Sequence, residues 1–389
     1  MSELAELVRR EILEQGPISF ARFMELALYC PQLGYYERQP GRVGRSGDFY
    51  SSVSVGSLFG ELLACQFVEW LGHLGRAFPP GENGTHQPSV AECRSFQSRP
   101  LQIVEAGSHD GRLALDILSW MSEYRSDALR ELEYWIIEPS SARRAWQRQT
   151  LREFERHVQW FESWETISSA SVQGVIFCNE LLDAFPVRRI GWDAQAHTWY
   201  EWGVTWTNDR FDWCRIDEPH SQDLRGAPTV VWPELPAEFL RILPDGFTTE
   251  ISAAAETWWR QAAEKLGCGW LLTIDYGLSG DQFFLPERAQ GTLRGYHEHH
   301  VTSDVLARIG EQDLTSHVNF SALQNCGERL GLRTCSLVPQ AKFLAEIVAK
   351  TEASRLPLGA WNPQRVRQFQ TLTHPEHLGR SFQVLVQSR

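Results

Sequence analysis

Short apolar runs alternate with amphipathic segments through the middle of this chain, and that alternation sets the fold class. Strand candidates are 101–106, 133–138, 157–161, 174–178 and 269–275, with further strands near 332–338 and 382–387. Helical periodicity marks 111–124, 140–155, 250–266 and 319–330. Apolar strands separated by helices predict an α/β fold, with a mostly parallel sheet carrying helices on both faces. Ligands bind such sheets at the carboxyl ends of the strands.

The flanking segments have other periods. Residues 3–15 read as a helix stopped by Gly16-Pro17, and Phe20 to Tyr29 as a second one ended by Pro31. A loop rich in glycine and aromatic residues follows, then a long amphipathic helix over 56–74. The stretch 79–100 is polar and rich in Pro, Gly and Ser, which suits a linker or surface loop. Short Trp-rich alternating runs over 187–215, around Gly203 and Asn208-Asp209, predict antiparallel strands in an insertion.

Composition narrows the function classes. At 389 residues the chain can bury a large core, and 42% hydrophobic content argues against wholesale disorder. A net charge of −12 argues against nucleic acid as the main partner, because phosphate contacts need clustered Lys and Arg; it is compatible with a basic protein substrate. The eight cysteines form no C-x-x-C pair and no zinc spacing, so no metal is expected. No apolar run reaches the ~18 residues of a membrane span. The first residues open an amphipathic helix and carry neither a signal-peptide core nor a transit-type segment, so the expected location is cytoplasmic.

The most telling stretch is Ile103-Val104-Glu105-Ala106-Gly107-Ser108-His109-Asp110-Gly111-Arg112-Leu113. An apolar strand ends in an acid, turns through small residues and opens a helix. Gly107 and Gly111 permit a tight turn and close ligand approach, and the helix directs free N–H groups at that ligand. The dinucleotide fingerprint G-x-G-x-x-G is absent, which disfavours a nicotinamide-dependent oxidoreductase. Glu105 sits where a carboxylate would repel a pyrophosphate, whereas a sulfonium or an ammonium would suit it. The turn thus resembles the first motif of class I S-adenosylmethionine-dependent methyltransferases, with His109 at its middle glycine. An ordinary strand-to-helix turn accounts for the same residues.

Other strand ends carry candidate chemistry. Glu138, after the second strand, is placed to accept hydrogen bonds from ribose hydroxyls, or to stand as a surface acid before a helix. Glu162, just past the strand at 157–161, joins it as a cofactor-binding candidate. Asn179-Glu180-Leu181-Leu182-Asp183 follows the fourth strand. Glu180 and Asp183, three apart, are expected to share a face of a helical turn and to bind a cationic nucleophile and take its proton. The same acids could simply stabilise a helix N-terminus. Gly47, Asp48 and Phe49, with Ser51 and Ser52, form a polar-aromatic loop able to fold over a cofactor, or an ordinary turn.

Over about residues 18–320 the sequence resembles the MidA-like family of class I methyltransferases. The matching stretches are Ile18 to Met24, Leu28-Tyr29-Cys30-Pro31 through Gly34-Tyr35-Tyr36, Gly47-Asp48-Phe49, Phe59-Gly60-Glu61 and the 103–118 turn. Asn179-Glu180 through Pro186, Ile274-Asp275-Tyr276-Gly277 and Gly291-Thr292-Leu293-Arg294 with Tyr296 and His299 follow, then Glu311 through Phe320. Each is modest, but their number and order make the match specific. The sequence departs from the family at His109, Ser51, Val53 and Asn319.

The resemblance implies a Rossmann-like, seven-stranded sheet, S-adenosylmethionine as cofactor and an arginine of a partner protein as acceptor. The implied division is a helical cover with a cofactor-lid loop at 1–78, a linker at 79–100 and core at 101–186. An inserted β-rich and helical subdomain at 187–266 and the remaining core at 267–389 complete it. Gly107 and Gly111 shape the turn, Glu105 lies near the amino-acid portion and Glu138 holds the ribose. Gly47, Asp48, Phe49, Ser51, Ser52, Glu162 and Asn179 complete the cofactor set. Glu180, Asp183 and Asn179 form the catalytic set, serving attack of the acceptor on the sulfonium methyl. A non-catalytic assembly factor or binding module on the same scaffold is the alternative. Oligomeric state is not legible.

Overall fold

A computed structural model describes residues 1–38, 51–74, 100–216, 233, 235–298, 300–354 and 356–389. Gly47, Asp48, Phe49 and His299 lie outside these residues, as does the expected linker apart from Pro100. The chain divides into two compact units. One comprises residues 40–181, 258–277 and 322–389; the other comprises 1–39, 182–257 and 278–321.

The first unit holds the sheet that the apolar runs predict. Seven strands run in the order Arg333–Pro339, Phe382–Ser388, Leu266–Leu278, Val172–Asn179, Leu101–Ala106, Leu132–Ile137 and Val158–Phe161. Those from Leu266–Leu278 to Val158–Phe161 are parallel, and Phe382–Ser388 pairs antiparallel with both its neighbours. All residues of Leu101–Ala106 and of Val172–Asn179 are buried, as expected of central strands covered on both faces. The helix Arg112–Tyr124 follows the first strand and buries Leu113, Ala114, Ile117, Leu118 and Met121. It shares one core with the apolar face of the helix Leu58–His73. Helices Gln340–Ser354 and Pro363–Thr373 join the same unit.

In the second unit the N-terminal helix Glu3–Gln15 starts at Ser2, whose hydroxyl accepts from the Ala5 amide, and stops at Gly16, whose φ of 86° is readily adopted only by glycine. Its buried stripe of Leu4, Val8 and Ile12 packs with Phe20, Phe23 and Met24 of the helix Phe20–Tyr29. The Trp-rich region forms strands Arg188–Asp193, Thr198–Thr207 and Arg210–Ile216, antiparallel as their alternation predicts. Ile18–Ser19 and Thr248–Ile251 extend this sheet. A small antiparallel sheet joins Arg294–His297 to His300–Thr302 and to Asp313–Thr315.

Candidate active site

Five parallel strands of the first unit end at one edge of their sheet, and the candidate polar groups follow four of those ends. After Leu101–Ala106 the backbone turns through Gly107 at φ 77° and Gly111 at φ 86°. Both values lie where an L side chain is strained. A Cβ on Gly107 would stand 2.9 Å from Leu181 Cδ1, so the turn and the segment after the fourth strand approach each other closely.

His109, at φ 45°, is a non-glycine residue in the same left-handed region. Its ring is partly exposed, with its centroid 6.3 Å from that of Trp146, and its Nδ1 lies 3.9 Å from Asp110. Burial raises the Asp110 carboxyl, but His109 and the Arg112 amide outweigh it and hold the group below its ordinary range. His109→Gly removes a left-handed side-chain conformation that costs roughly 1–2 kcal/mol. It adds back much of that as backbone entropy. The variant is therefore expected to match the parent in thermal melting within a few degrees, and to keep or improve cofactor affinity by calorimetry. A large loss of affinity would show that the imidazole itself grips the ligand.

Glu105 is buried beside the turn, and its Oε2 accepts the Tyr134 hydroxyl at 2.6 Å. Burial pushes its carboxyl up to about 7, although hydrogen bonds from Tyr134 and Ser108 pull the other way. Glu138 is also buried. It accepts from the Ser140 amide and Arg143 Nε, each at 2.9 Å, and from Gln147 Nε2 at 3.2 Å. Gln147 reaches the His109 carbonyl as well, joining the ends of two strands. Glu162 is exposed and bound by Arg144, whose other nitrogen donates to the Glu138 carbonyl.

At the end of the fourth strand, Glu180 Oε1 accepts from Asn179 Nδ2 at 3.0 Å and from the Ser52 amide at 2.9 Å. Ser52 in turn donates its hydroxyl to Gln340. Asn179 Oδ1 is buried with no partner among the described residues, an acceptor left for a ligand donor. Asp275 pins this turn, accepting the Leu181 and Tyr276 amides.

The helical turn expected to align Glu180 with Asp183 does not form. Glu180 lies at φ 50°, and no helix is present over 181–186. Asp275 captures the Leu181 amide instead, and Pro186 ends any continuation. Asp183 belongs to the second compact unit, where it is buried and its carbonyl accepts the Ser316 amide. Asp275 and Gln340 had no role legible in the sequence, because they act through partners distant along the chain; Arg143 and Gln147 lie within nine residues of Glu138 but read as the polar face of a helix. Only the i, i+5 spacing of Glu138 and Arg143 offered a local signal.

A family model described as "Putative S-adenosyl-L-methionine-dependent methyltransferase" matches residues 83–338. The chain is 27% identical to the protein arginine methyltransferase NDUFAF7 homolog, mitochondrial, of Drosophila melanogaster, over 98% of this chain and 84% of that one. It is 25% identical to the human protein arginine methyltransferase NDUFAF7, mitochondrial, over 96% of this chain and 80% of that one. Among solved structures, a Burkholderia thailandensis protein bound to S-adenosyl-homocysteine matches with TM-score 0.77 and 28% identity. That match covers 99% of this chain and 92% of the other. The expected cytoplasmic location is overturned, since these curated relatives are mitochondrial proteins.

Proposed function

The chain belongs to the S-adenosylmethionine-dependent methyltransferase family, and from that premise we propose that it methylates an arginine of a partner protein. The observation that carries the reading is the acid-and-glycine turn at 105–111, set at the carboxyl ends of parallel strands. The arginine acceptor is supported by the activity named for the curated relatives.

The turn and its neighbours fit the cofactor chemically. Gly107 leaves out a side chain where the backbone must turn, Glu105 offers a buried acid to a cation, and Asn179 holds an unused buried acceptor. When bound, S-adenosylmethionine supplies an electrophilic methyl group on a sulfonium. Gly107 and Gly111 would admit it, Glu105 would hold its amino-acid portion, and Glu138 would hold its ribose. Ser51, Ser52, Glu162 and Asn179 complete the proposed cofactor side. Glu180 serves the acceptor: it orients a guanidinium and accepts its proton, with Asn179 steadying its carboxylate.

Glu105 links this reading to pH. Its folded pKa is raised, so the associated stability is present below its ordinary value and is lost as pH rises to about 7. A cation beside it favours the carboxylate form and should expel the proton. Calorimetry at pH 6, in buffers of differing ionisation enthalpy, should therefore show release of close to one proton on cofactor binding, fading by about pH 8.5. No release at pH 6 would separate Glu105 from the charged part of the ligand.

Labelled methyl transfer from S-adenosylmethionine into lysate protein, with mass spectrometry of the labelled product, tests the function. A methylated arginine supports it. Methylation confined to another residue type would overturn the arginine assignment.

A further inference from the structure

A line of hydrogen bonds runs from Glu180 to a helix late in the chain, all of it within the first unit. Glu180 Oε1 accepts the Ser52 amide at 2.9 Å, and the Ser52 hydroxyl donates to Gln340 Oε1 at 3.1 Å. Gln340 Nε2 then donates to the Leu372 carbonyl at 3.0 Å. Chemistry fixes the direction of this line. A carbonyl only accepts, so the nitrogen of the Gln340 amide must face Leu372 and its oxygen must face the hydroxyl. Leu372 lies in the last turn of the helix Pro363–Thr373, where carbonyls lack a partner inside the helix. Gln340 thus satisfies a group that the helix itself cannot.

Ser52 and Gln340 are wholly buried, whereas Glu180 is partly exposed and open to a ligand. The segment carrying Ser52 is braced. Ser51 and Ser54 exchange amide-to-hydroxyl bonds at 3.0 and 3.2 Å, and Val55 joins the core of the unit. A Cβ on Gly56 would collide with Gln368 of the same late helix. Arg365, three residues before Gln368, pairs with Glu61 at 2.8 Å. The helix Pro363–Thr373 therefore bears on Ser52 through Gln340 and on the residues just after it directly. At the other end of the line, the Ser52 amide and Asn179 Nδ2 both donate to Oε1, and together they set the tilt of the Glu180 carboxylate.

We propose that Gln340 is a positioning residue for methyl transfer, anchoring Ser52, and through the Ser52 amide the Glu180 carboxylate, to the helix Pro363–Thr373. The proposal rests on the reading that Glu180 serves the acceptor. Reacting groups must be held to within about 0.5 Å, and a shift of about 1 Å can cost about 100-fold in rate. Without Gln340 the Ser52 hydroxyl and the Leu372 carbonyl lose their buried partner, and the segment must move to satisfy them. The amide that sets Glu180 moves with it.

Gln340→Met keeps the length of the side chain and removes both hydrogen bonds. Single-turnover transfer of labelled methyl to the lysate arginine should fall about tenfold, with affinity for S-adenosylhomocysteine held within about threefold by calorimetry. In the Glu180→Gln background the same change should lower transfer by less than about twofold, because the group it positions is already disabled. Ser52→Ala breaks the same link, keeps the amide and should lower transfer about threefold. It decides alone if Gln340→Met does not fold. Unchanged transfer in the folded variants overturns the proposal. So does an equal loss with and without Glu180, the mark of a merely structural role. Full activity in Glu180→Gln would instead strike the reading of Glu180 beneath it. Absent arginine transfer by the wild-type protein would strike the proposed function, and this proposal with it.

Discussion

Gly107→Val should lower affinity for S-adenosylhomocysteine by at least ~100-fold, the loss of ~2.7 kcal/mol or more. Two effects add. The native φ of 77° is open to glycine but costs an L residue roughly 1–2 kcal/mol, and a β-branched one more. The new Cβ also meets Leu181, 2.9 Å from Cδ1 and 3.2 Å from Cβ, before the rest of the valine is placed. Relief of that clash moves the segment carrying Asn179 and Glu180, so both sides of the proposed cofactor site shift. Gly107→Ala, with Cβ alone, should fall between parent and valine variant. Calorimetry on proteins with native circular dichroism provides the check, and unchanged affinity in folded Gly107→Val would remove this turn from the cofactor site.

Glu180→Gln is expected to lower methyl transfer by ~100-fold or more while cofactor affinity holds. Arginine is charged at every working pH, so its nitrogen attacks well only when held by a carboxylate and relieved of a proton. Glutamine keeps an oxygen able to accept the Ser52 and Asn179 N–H groups that Glu180 accepts now, so the turn should survive. Only the charge and the basicity are lost. Single-turnover transfer to the acceptor, beside cofactor titration of the same variant, separates the outcomes. Full activity removes Glu180 from the chemistry, and a parallel loss of cofactor binding assigns it to the cofactor instead.

Elements with a strong local pattern were legible and those fixed by remote partners were not. The sheet of the first unit was readable because its strands are apolar along their whole length, as in Leu101–Ala106 and Val172–Asn179. The strand Leu266–Leu278 is longer than the predicted 269–275, since Gly267 weakens the apolar signal just ahead of that range. The helix Pro363–Thr373 lies outside the predicted elements despite a plain start, Asn362 capping the Gln364 and Arg365 amides with proline at the first helical position. Gln340–Ser354 follows directly on a strand, with no Ser, Thr, Asp or Asn cap to announce it.

The site divides the same way. The turn at 107–111 was visible because two glycines mark the positive φ values. The acids at 180 and 183 suggested a helical turn from spacing alone, and Asp275, far along the chain, overrides that spacing by taking the Leu181 amide. The partners of Glu138 follow within nine residues, yet without the fold Arg143 and Gln147 read as the polar face of a helix. The Gly291-Thr292 stretch is structural in part: buried Glu250 accepts the Thr292 amide and hydroxyl, and a Cβ on Gly291 would collide with its carboxylate.

The measurement that bears most directly on the proposed site is ultraviolet cross-linking of labelled S-adenosylmethionine, followed by peptide mapping. The account predicts label in peptides spanning 105–111 or 179–181, removed by excess S-adenosylhomocysteine and absent from Gly107→Val. Competable label confined to the Trp-rich strands at 188–216, with none at these strand ends, would contradict it.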